Sequence, residues 1–222
     1  MLLVLFALFF RPVGFDYRSK LGDKRWRKAW DWGLFVGGAV PSLVFGVAFG
    51  NLLLGVPFYL DDLLRAFYTG SFFELLNPFA LLAGIVSFSL LTMHGGIWLQ
   101  MRTTGDLSGR VKAYIKWTGV TAMAAFALAG VWLIYAVDGY SLYSQPAVDA
   151  LPNPLAKTVE IGSAARLANY RDYPWTILFP VLGFAGVIMT ILLSRSGRPG
   201  WGFVSRSLAI TGVIMTAGVS MF

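Results

Sequence analysis

Four long stretches of this sequence contain no Asp, Glu, Lys or Arg and are dominated by apolar side chains. They cover 33–60, 75–101, 117–137 and 173–194. A helix rises about 1.5 Å per residue, so about 20 apolar residues cross the hydrocarbon core of a bilayer. Because that core offers the backbone no water, a run of this length satisfies its backbone groups only as a helix. The pattern therefore predicts four complete transmembrane helices in an all-α, polytopic helix bundle.

Two shorter apolar runs, 1–10 and 207–222, lie at the ends of the sequence. The first has no basic residues before it and ends in Phe9 and Phe10. A secretory signal peptide instead has a basic start and small residues at its cleavage site. We therefore expect a truncated helix at each end, within a single integral membrane domain, 1–222, that is a fragment of a longer subunit.

The composition agrees with a membrane protein, because 57% of the residues are hydrophobic and only 13% are charged. Soluble domains carry about 25% charged residues. The sequence has no cysteine, which excludes disulfides and thiolate metal sites. A net charge of +7 is compatible with binding to nucleic acid, but the basic residues lie between the apolar runs. In that position they set the orientation of the helices in the membrane. We therefore predict no nucleic-acid partner.

The basic residues alternate from one connection to the next. The connections 11–31, 102–116 and 194–206 contain seven, four and three of the 18 Lys and Arg residues. The connections 57–77 and 138–172 contain the other four, together with seven of the 11 acidic residues. Because cytoplasmic loops carry the excess of Lys and Arg, the first three connections are predicted to be cytoplasmic. The other two are predicted to be extracytoplasmic.

Each extracytoplasmic connection carries a local pattern of its own. Residues 57–77 mix aromatic residues and leucines with charges, which indicates a short amphipathic helix in the membrane interface. Residues 138–172 contain three prolines and mixed charge, which indicates an ordered loop with a short helix over 155–168.

His94 is the only histidine of the sequence and lies inside an apolar stretch. A histidine within a span can serve as a haem ligand or a proton relay. The neighbouring Gly95 and Gly96 instead favour a close contact between helices. We interpret His94 as a packing or polar-network residue, and we predict no metal site and no catalytic residue in this chain.

Arg11 and Asp16 follow the first apolar run, with Pro12 and Gly14 between them. An ionised Asp or Arg at the centre of a bilayer costs about 2.5–3.5 kcal/mol on insertion scales, and pairing would lower that cost. One interpretation is a proton-conducting or headgroup-binding site at the cytoplasmic mouth of the bundle. The alternative is that Arg11 lies at the headgroups and Asp16 is solvated.

Five strings occur in this order along the chain: FFRPVGFDYR, RWRKAWDWGLFVGGAVPSLVFGVAFGNLLLGVPF, YTGSFFELLNPFALLAG, HGGIWLQMRTTGDL and FALAGVWLIYAVDGY. Together they closely resemble the second subunit of cytochrome bd-type quinol oxidases. The resemblance covers essentially the whole chain and corresponds to the middle of that subunit. It implies an architecture of two four-helix bundles plus a further helix, of which this chain would form a part.

The resemblance also implies a function for the chain. It would belong to the non-haem subunit of a terminal oxidase, an oxidoreductase of the bacterial inner membrane that oxidises quinol and reduces dioxygen to water. Haems b and d would lie in the first subunit, so this chain would carry no haem ligand and no independent activity. Its expected roles are complex assembly, haem insertion and proton supply from the cytoplasm.

The same resemblance names partners and site residues. The implied partners are the haem-bearing first subunit, a small accessory subunit, lipid and quinone, and some members of the family hold a bound quinone. Arg11 and Asp16 match the family string residue by residue, which implies a role in a proton path or a quinone pocket.

Two other classes of function are compatible with the residues alone. A fragment of a secondary transporter would explain spans that contain proline, such as those with Pro41 and Pro180. Against it, the sequence pattern puts no charged residue at the middle of a span, where coupling ions need ligands. A purely structural membrane subunit that assembles complexes differs from the oxidase subunit mainly in its partner.

Overall fold

The protein is described by a computed structural model over residues 2–142, 144, 149, 158–162 and 165–221. Its α-helices are α1 Leu2–Tyr17, α2 Lys24–Leu54, α3 Pro78–Arg102, α4 Asp106–Ala136, α5 Ala168–Asp172, α6 Leu178–Arg195 and α7 Pro199–Val219. Short 3₁₀ turns cover Phe73–Leu76, Ala165–Leu167 and Pro174–Ile177. Two antiparallel hairpins complete the described elements: β1 Phe58–Leu60 with β2 Ala66–Tyr68, and β3 Gly139–Leu142 with β4 Val159–Gly162.

In the part of the chain that the structure describes, five helices are long and apolar enough to cross a membrane, which confirms the all-α polytopic fold. They cover Lys24–Leu54, Pro78–Arg102, Asp106–Ala136, Pro174–Arg195 and Pro199–Val219. The last of them starts earlier than the apolar run 207–222 from which it was predicted. It begins at Pro199, because proline suits the first turn of a helix, where its missing N–H has no intrahelical partner.

The helices extend well into the segments predicted to be cytoplasmic loops. Only 18–23, 103–105 and 196–198 separate α1 from α2, α3 from α4 and α6 from α7. At the start of α2, the Asp23 side chain accepts a hydrogen bond from the Arg25 amide (2.9 Å), which caps the helix. The side of the membrane on which these turns lie stays a prediction.

The amphipathic helix predicted within 57–77 is wrong. The segment forms the hairpin of β1 and β2, in which Tyr59 lies opposite Phe67 with their rings stacked at 5.5 Å. Aromatic residues fit paired strands well. Asp61 provides the turn, because its carboxylate accepts hydrogen bonds from the Leu63 and Arg65 amides. Only the 3₁₀ turn Phe73–Leu76 is helical there.

The short helix predicted over 155–168 is also corrected where the structure describes it. Val159–Gly162 is a strand that pairs with Gly139–Leu142. Residues 155–157, 163 and 164 lie outside the described residues. Helical turns begin only at Ala165, in a 3₁₀ turn that runs directly into α5.

The chain divides into two compact units, and the first covers Met1–Ala125. In it, α2 packs on α3 through glycines that let the two backbones approach closely. A Cβ added at Gly46 would lie 2.4 Å from the Ala83 carbonyl oxygen, and one added at Gly50 would lie 2.6 Å from Ala80 Cα. Because real Cβ atoms essentially never approach that closely, these positions fix the separation of the two helices.

A pair of asparagines, Asn51 buried and Asn77 partly buried, holds the same two helices together at the end of α2. Asn51 donates from Nδ2 to the carbonyl oxygens of Val47 (2.9 Å) and Leu75 (2.7 Å). Asn77 donates to Asn51 Oδ1 (2.9 Å) and accepts from the Ala80 amide (2.7 Å), which caps α3. The pair therefore satisfies backbone groups that burial would otherwise leave without a partner.

The second unit, Phe126–Phe222, is built on the antiparallel pair of α6 and α7. A Cβ added at Gly212 would lie 2.6 Å from the Gly183 nitrogen and 2.7 Å from the Phe179 carbonyl oxygen. Gly186 is equally restricted, since its added Cβ would lie 2.8 Å from Ala209 Cβ. Small residues thus set the contact of this pair as well.

Side chains from the segment before α6 cap the end of α7. Asn169 donates to the Val219 carbonyl oxygen (3.0 Å), and the Tyr170 hydroxyl donates to the Thr216 carbonyl oxygen (3.2 Å). Arg166 adds a longer bond to the Ser220 carbonyl oxygen (3.5 Å). Because the last carbonyls of a helix lack a full set of intrahelical partners, these side chains tie the end of α7 to the segment before α6; the Thr216 oxygen also accepts from the Ser220 amide (3.1 Å).

Candidate functional site

The two predicted site residues lie on α1, which packs against α2 in an antiparallel hairpin. Arg11 faces α2, because its Cγ lies 2.8 Å from the position that a Cβ at Gly37 would occupy. The contact continues one turn further along, where Gly14 lies against Leu34. The absence of a side chain at Gly37 therefore makes room for the apolar stem of Arg11.

Asp16 is exposed and does not face its predicted partner. Within the described residues, no ion pair joins Arg11 to Asp16; the ion pairs of that part of the chain join Arg18 to Asp31 and Arg65 to Asp61. The physical reason is helical geometry: positions five apart are about 140° apart around a helix of 3.6 residues per turn. Arg11 turns toward α2, and Asp16 turns away from it.

Arg18 forms the charged contact between α1 and α2. Its Nε and Nη2 donate to the two carboxylate oxygens of Asp31, the second at 3.4 Å. The hydrogen bond that Arg18 donates to Asp31, together with the negative charge of Asp31, raises the pKa of Arg18 above its ordinary value. Both side chains are about half exposed, so the pair orients the hairpin more than it stabilises it.

An aromatic cluster closes the turn between α1 and α2. The Trp26 indole donates to the Tyr17 carbonyl oxygen (2.8 Å), and the Trp30 ring lies 5.8 Å from Trp26 and 6.1 Å from Tyr17. The sequence prediction missed the pairing of Arg18 with Asp31. If α1 and α2 are aligned as an antiparallel hairpin with Gly14 opposite Leu34, Arg18 and Asp31 lie nearly opposite each other.

His94 lies half-buried on α3. Its neighbour Gly96 packs against α4, since an added Cβ would lie 3.0 Å from Ile115 Cγ1. That contact supports the interpretation of this segment as a helix contact. Within the described residues, no group of three or more His, Cys, Asp or Glu side chains could hold a metal ion.

The sequence prediction also missed Arg206, which it put in a cytoplasmic loop. Arg206 lies on α7, seven residues after its start, and is completely buried. Buried hydroxyls lie close by along the helix pair: Thr190 Oγ1 donates to the Gly186 carbonyl oxygen (2.6 Å), and Ser205 Oγ donates to the same oxygen (3.1 Å). This cation therefore lies within a helix long enough to span a membrane, at the eighth of its 21 residues, and not in a loop.

An apolar groove of about 430 Å³ lies in the second unit, beside the capped end of α7. Two of the polar side chains of its lining have partners in the protein, since Asn169 donates to the Val219 carbonyl oxygen and Thr176 donates to the Tyr173 carbonyl oxygen. The groove therefore offers apolar surface and suits a hydrocarbon chain. Its apolar lining includes Trp175, Phe179 and Met215.

The family model of cytochrome bd terminal oxidase subunit II matches residues 1–222. The chain is 50% identical, over all 222 residues, to cytochrome bd-I ubiquinol oxidase subunit 2 of Escherichia coli strain K12. It is 48% identical over the same length to a probable cytochrome oxidase subunit 2 of Haemophilus influenzae. It is 34% identical over 199 residues, 88% of the chain, to cytochrome bd ubiquinol oxidase subunit 2 of Bacillus subtilis.

The chain spans only part of these relatives: 59% of the Escherichia coli protein, 58% of the Haemophilus protein and 56% of the Bacillus protein. The matches confirm the resemblance that the sequence strings indicate. Together with the five apolar helices, they also confirm a multi-pass protein of the bacterial inner membrane. The chain therefore belongs to the cytochrome bd terminal oxidase subunit II family.

Proposed function

We propose that this chain is the greater part of the non-haem subunit of a membrane-bound terminal oxidase of the respiratory chain. The whole complex would oxidise quinol and reduce dioxygen to water. The observation that carries the proposal is the 50% identity to the Escherichia coli ubiquinol oxidase subunit along the entire chain. A family match of this extent also weighs against a secondary transporter.

The haems of the complex are assigned to the partner subunit. Haem iron needs an axial side chain such as histidine, and oxidase chemistry needs several haems. This sequence contains one histidine, His94, which alone could not ligate several haems. The helix that carries His94 packs closely against α4 at Gly96 and Ile115. The haems, when bound in the partner, supply electron transfer and oxygen reduction, while this chain supplies packed spans, polar groups and a path for protons.

For Arg11 and Asp16 we propose a role at a proton path or a quinone pocket, as two separate positions on α1. Arg11 has its stem against α2, and the residue as a whole is exposed. Asp16 points away from α2 and is exposed, so its carboxylate is available to water or to a neighbouring helix. A carboxylate at the end of a span is a suitable group for taking up protons.

Asp16→Asn is expected to lower quinol-dependent oxygen uptake by about tenfold or more, while the amount of assembled complex stays unchanged. The amide keeps the shape of the side chain but carries no titratable proton. Oxygen uptake and proton uptake of the purified complex would be measured against the haem content. Asp23→Asn is the matched control, because Asn caps a helix as well as Asp does.

Two results would contradict this role. Turnover equal to that of the wild type would show that Asp16 carries no proton. Loss of the assembled complex, with normal turnover per remaining haem, would make Asp16 a structural residue.

The function itself is tested by purifying the tagged, full-length protein from membranes in a mild detergent. We expect a haem-bearing polypeptide to co-purify, with the absorption bands of haems b and d, and deletion of the gene to abolish quinol-dependent oxygen uptake by that complex. A preparation without haem, from cells whose oxidase activity survives the deletion, would refute the proposal.

A further inference from the structure

Arg11 lies in the row of α1 residues that contacts α2. Ala7 lies four positions before it and Gly14 lies three positions after it, and both are buried. Positions with this spacing share one face of a helix. Contacts between transmembrane helices favour small residues in such a row, because small side chains let the two backbones approach. The arginine therefore occupies a place in the helix contact that suits a small side chain.

Gly37 on α2 provides the room for this arginine. A Cβ at position 37 would lie 2.8 Å from Arg11 Cγ and 2.9 Å from the Ala7 carbonyl oxygen. Real Cβ atoms essentially never approach another atom so closely, so something must shift when a Cβ is added. The flexible stem of Arg11 can rotate away, whereas the Ala7 carbonyl group moves only with α1. Alanine at position 37 is therefore expected to change the path of the arginine stem first.

Two nearby glycines of α2 do not have this relation to a side chain of α1. A Cβ at Gly33 would lie 3.6 Å from Phe10 Cδ1, which is an ordinary van der Waals contact, and a Cβ at Gly38 would meet no atom within 4 Å. Glycine is less favourable than alanine inside a helix, so each of these positions would accept alanine. Among the three, Gly37 is the glycine whose missing side chain is matched to Arg11.

The contact of Gly37 with Arg11 lies within the apolar part of α2. The charge-free run begins at Gly33, so position 37 lies about 6 Å inside it at a rise of 1.5 Å per residue. A cation in the hydrocarbon layer is costly unless its side chain extends to water, headgroups or a polar group. The path of the Arg11 stem therefore decides which polar groups its guanidinium can reach.

We propose that Gly37 is a positioning residue for Arg11. The space at Gly37 selects the path of the arginine stem, and that path presents the guanidinium to the proton path or quinone pocket. This inference rests on the function proposed above for Arg11 and names the residue that sets its conformation. Gly37 takes no part in the chemistry itself, because it has no side chain and acts only through Arg11.

A double-mutant cycle in the full-length, assembled complex tests whether Gly37 acts through Arg11. Gly37→Ala is expected to lower quinol-dependent oxygen uptake per haem by about threefold or more, because the added Cβ displaces the arginine stem. In an Arg11→Ala background, which lacks both Cγ and the guanidinium, the same substitution is expected to cause no further loss. Gly38→Ala is the matched control and is expected to turn over as the wild type does.

The kinetic parameter that changes distinguishes positioning from a loosened helix pair. Gly37→Ala and Arg11→Ala are expected to change the same parameter, because both act on the guanidinium. That parameter is the KM for quinol if Arg11 lines a quinone pocket, and kcat if Arg11 lies on a proton path. A change in different parameters by the two variants would overturn the inference.

Other outcomes also decide against the inference. Wild-type turnover of Gly37→Ala, or equal losses from it in the two backgrounds, would show that Gly37 does not act through Arg11. If Gly37→Ala prevents assembly, Arg11→Ala is expected to restore it, and continued failure would assign the effect to the Ala7 carbonyl group and overturn the inference. Wild-type turnover of Arg11→Ala alone would instead contradict the proposed role of Arg11, and the inference with it.

Discussion

Replacing Gly46 with alanine is expected to destabilise the first unit by about 3 kcal/mol, the upper part of the range for overpacking a close contact. The added Cβ would lie 2.4 Å from the Ala83 carbonyl oxygen, 2.6 Å from Ser87 Cβ and 2.7 Å from Gly84 Cα. Two of these atoms belong to the backbone of α3, which cannot rotate away as a side chain can. The helices α2 and α3 must therefore separate to admit a single methyl group.

Gly38→Ala is the matched control, because a Cβ added there meets no atom within 4 Å. Both positions lie on α2, so helix propensity favours alanine equally at each. Thermal unfolding of the purified full-length protein in detergent would compare the two variants. Similar melting temperatures for Gly46→Ala and Gly38→Ala would show that α2 and α3 are not in close backbone contact at this position.

Gly212→Ala is expected to have the second largest effect, about 2–3 kcal/mol, in the second unit. Its added Cβ would lie 2.6 Å from the Gly183 nitrogen and 2.7 Å from the Phe179 carbonyl oxygen, both in the backbone of α6. The strain falls on the pair of α6 and α7, which holds most of the second unit together. We expect faster proteolysis at the turn 196–198 as the two helices separate.

Gly218→Ala provides the comparison on α7, since nothing lies within 4 Å of its added Cβ. Limited proteolysis in detergent, followed by mass spectrometry of the fragments, would detect cleavage in the turn. Equal cleavage of Gly212→Ala and Gly218→Ala would refute the close packing of α6 on α7.

The membrane-spanning helices could be predicted from the sequence because their signal is local. Charge-free apolar runs of more than 20 residues satisfy their backbone only as helices, and each of the four predicted spans contains a described helix. The error at α7 has a physical cause. Arg206 interrupts the apolar pattern, but burial inside the protein shields a charge that lipid would not tolerate.

The contacts between side chains could not be predicted in the same way. The pairing of Arg18 with Asp31 depends on the register of two packed helices, which only the fit of Gly14 against Leu34 and of Gly37 against Arg11 determines. The hairpin within 57–77 depends on Asp61, whose carboxylate binds backbone amides two and four residues ahead. A composition of leucines and aromatics suits an amphipathic helix just as well.

The cap on the last turn of α7 bears on how the second unit is made. Residues 166–170, which supply the capping side chains, precede α6, and the carbonyl groups that they bind follow both α6 and most of α7 in the sequence. The cap therefore closes only after both helices have been synthesised. It joins groups that are 46–54 positions apart in the sequence, so it forms only in a chain in which α7 has turned back against α6.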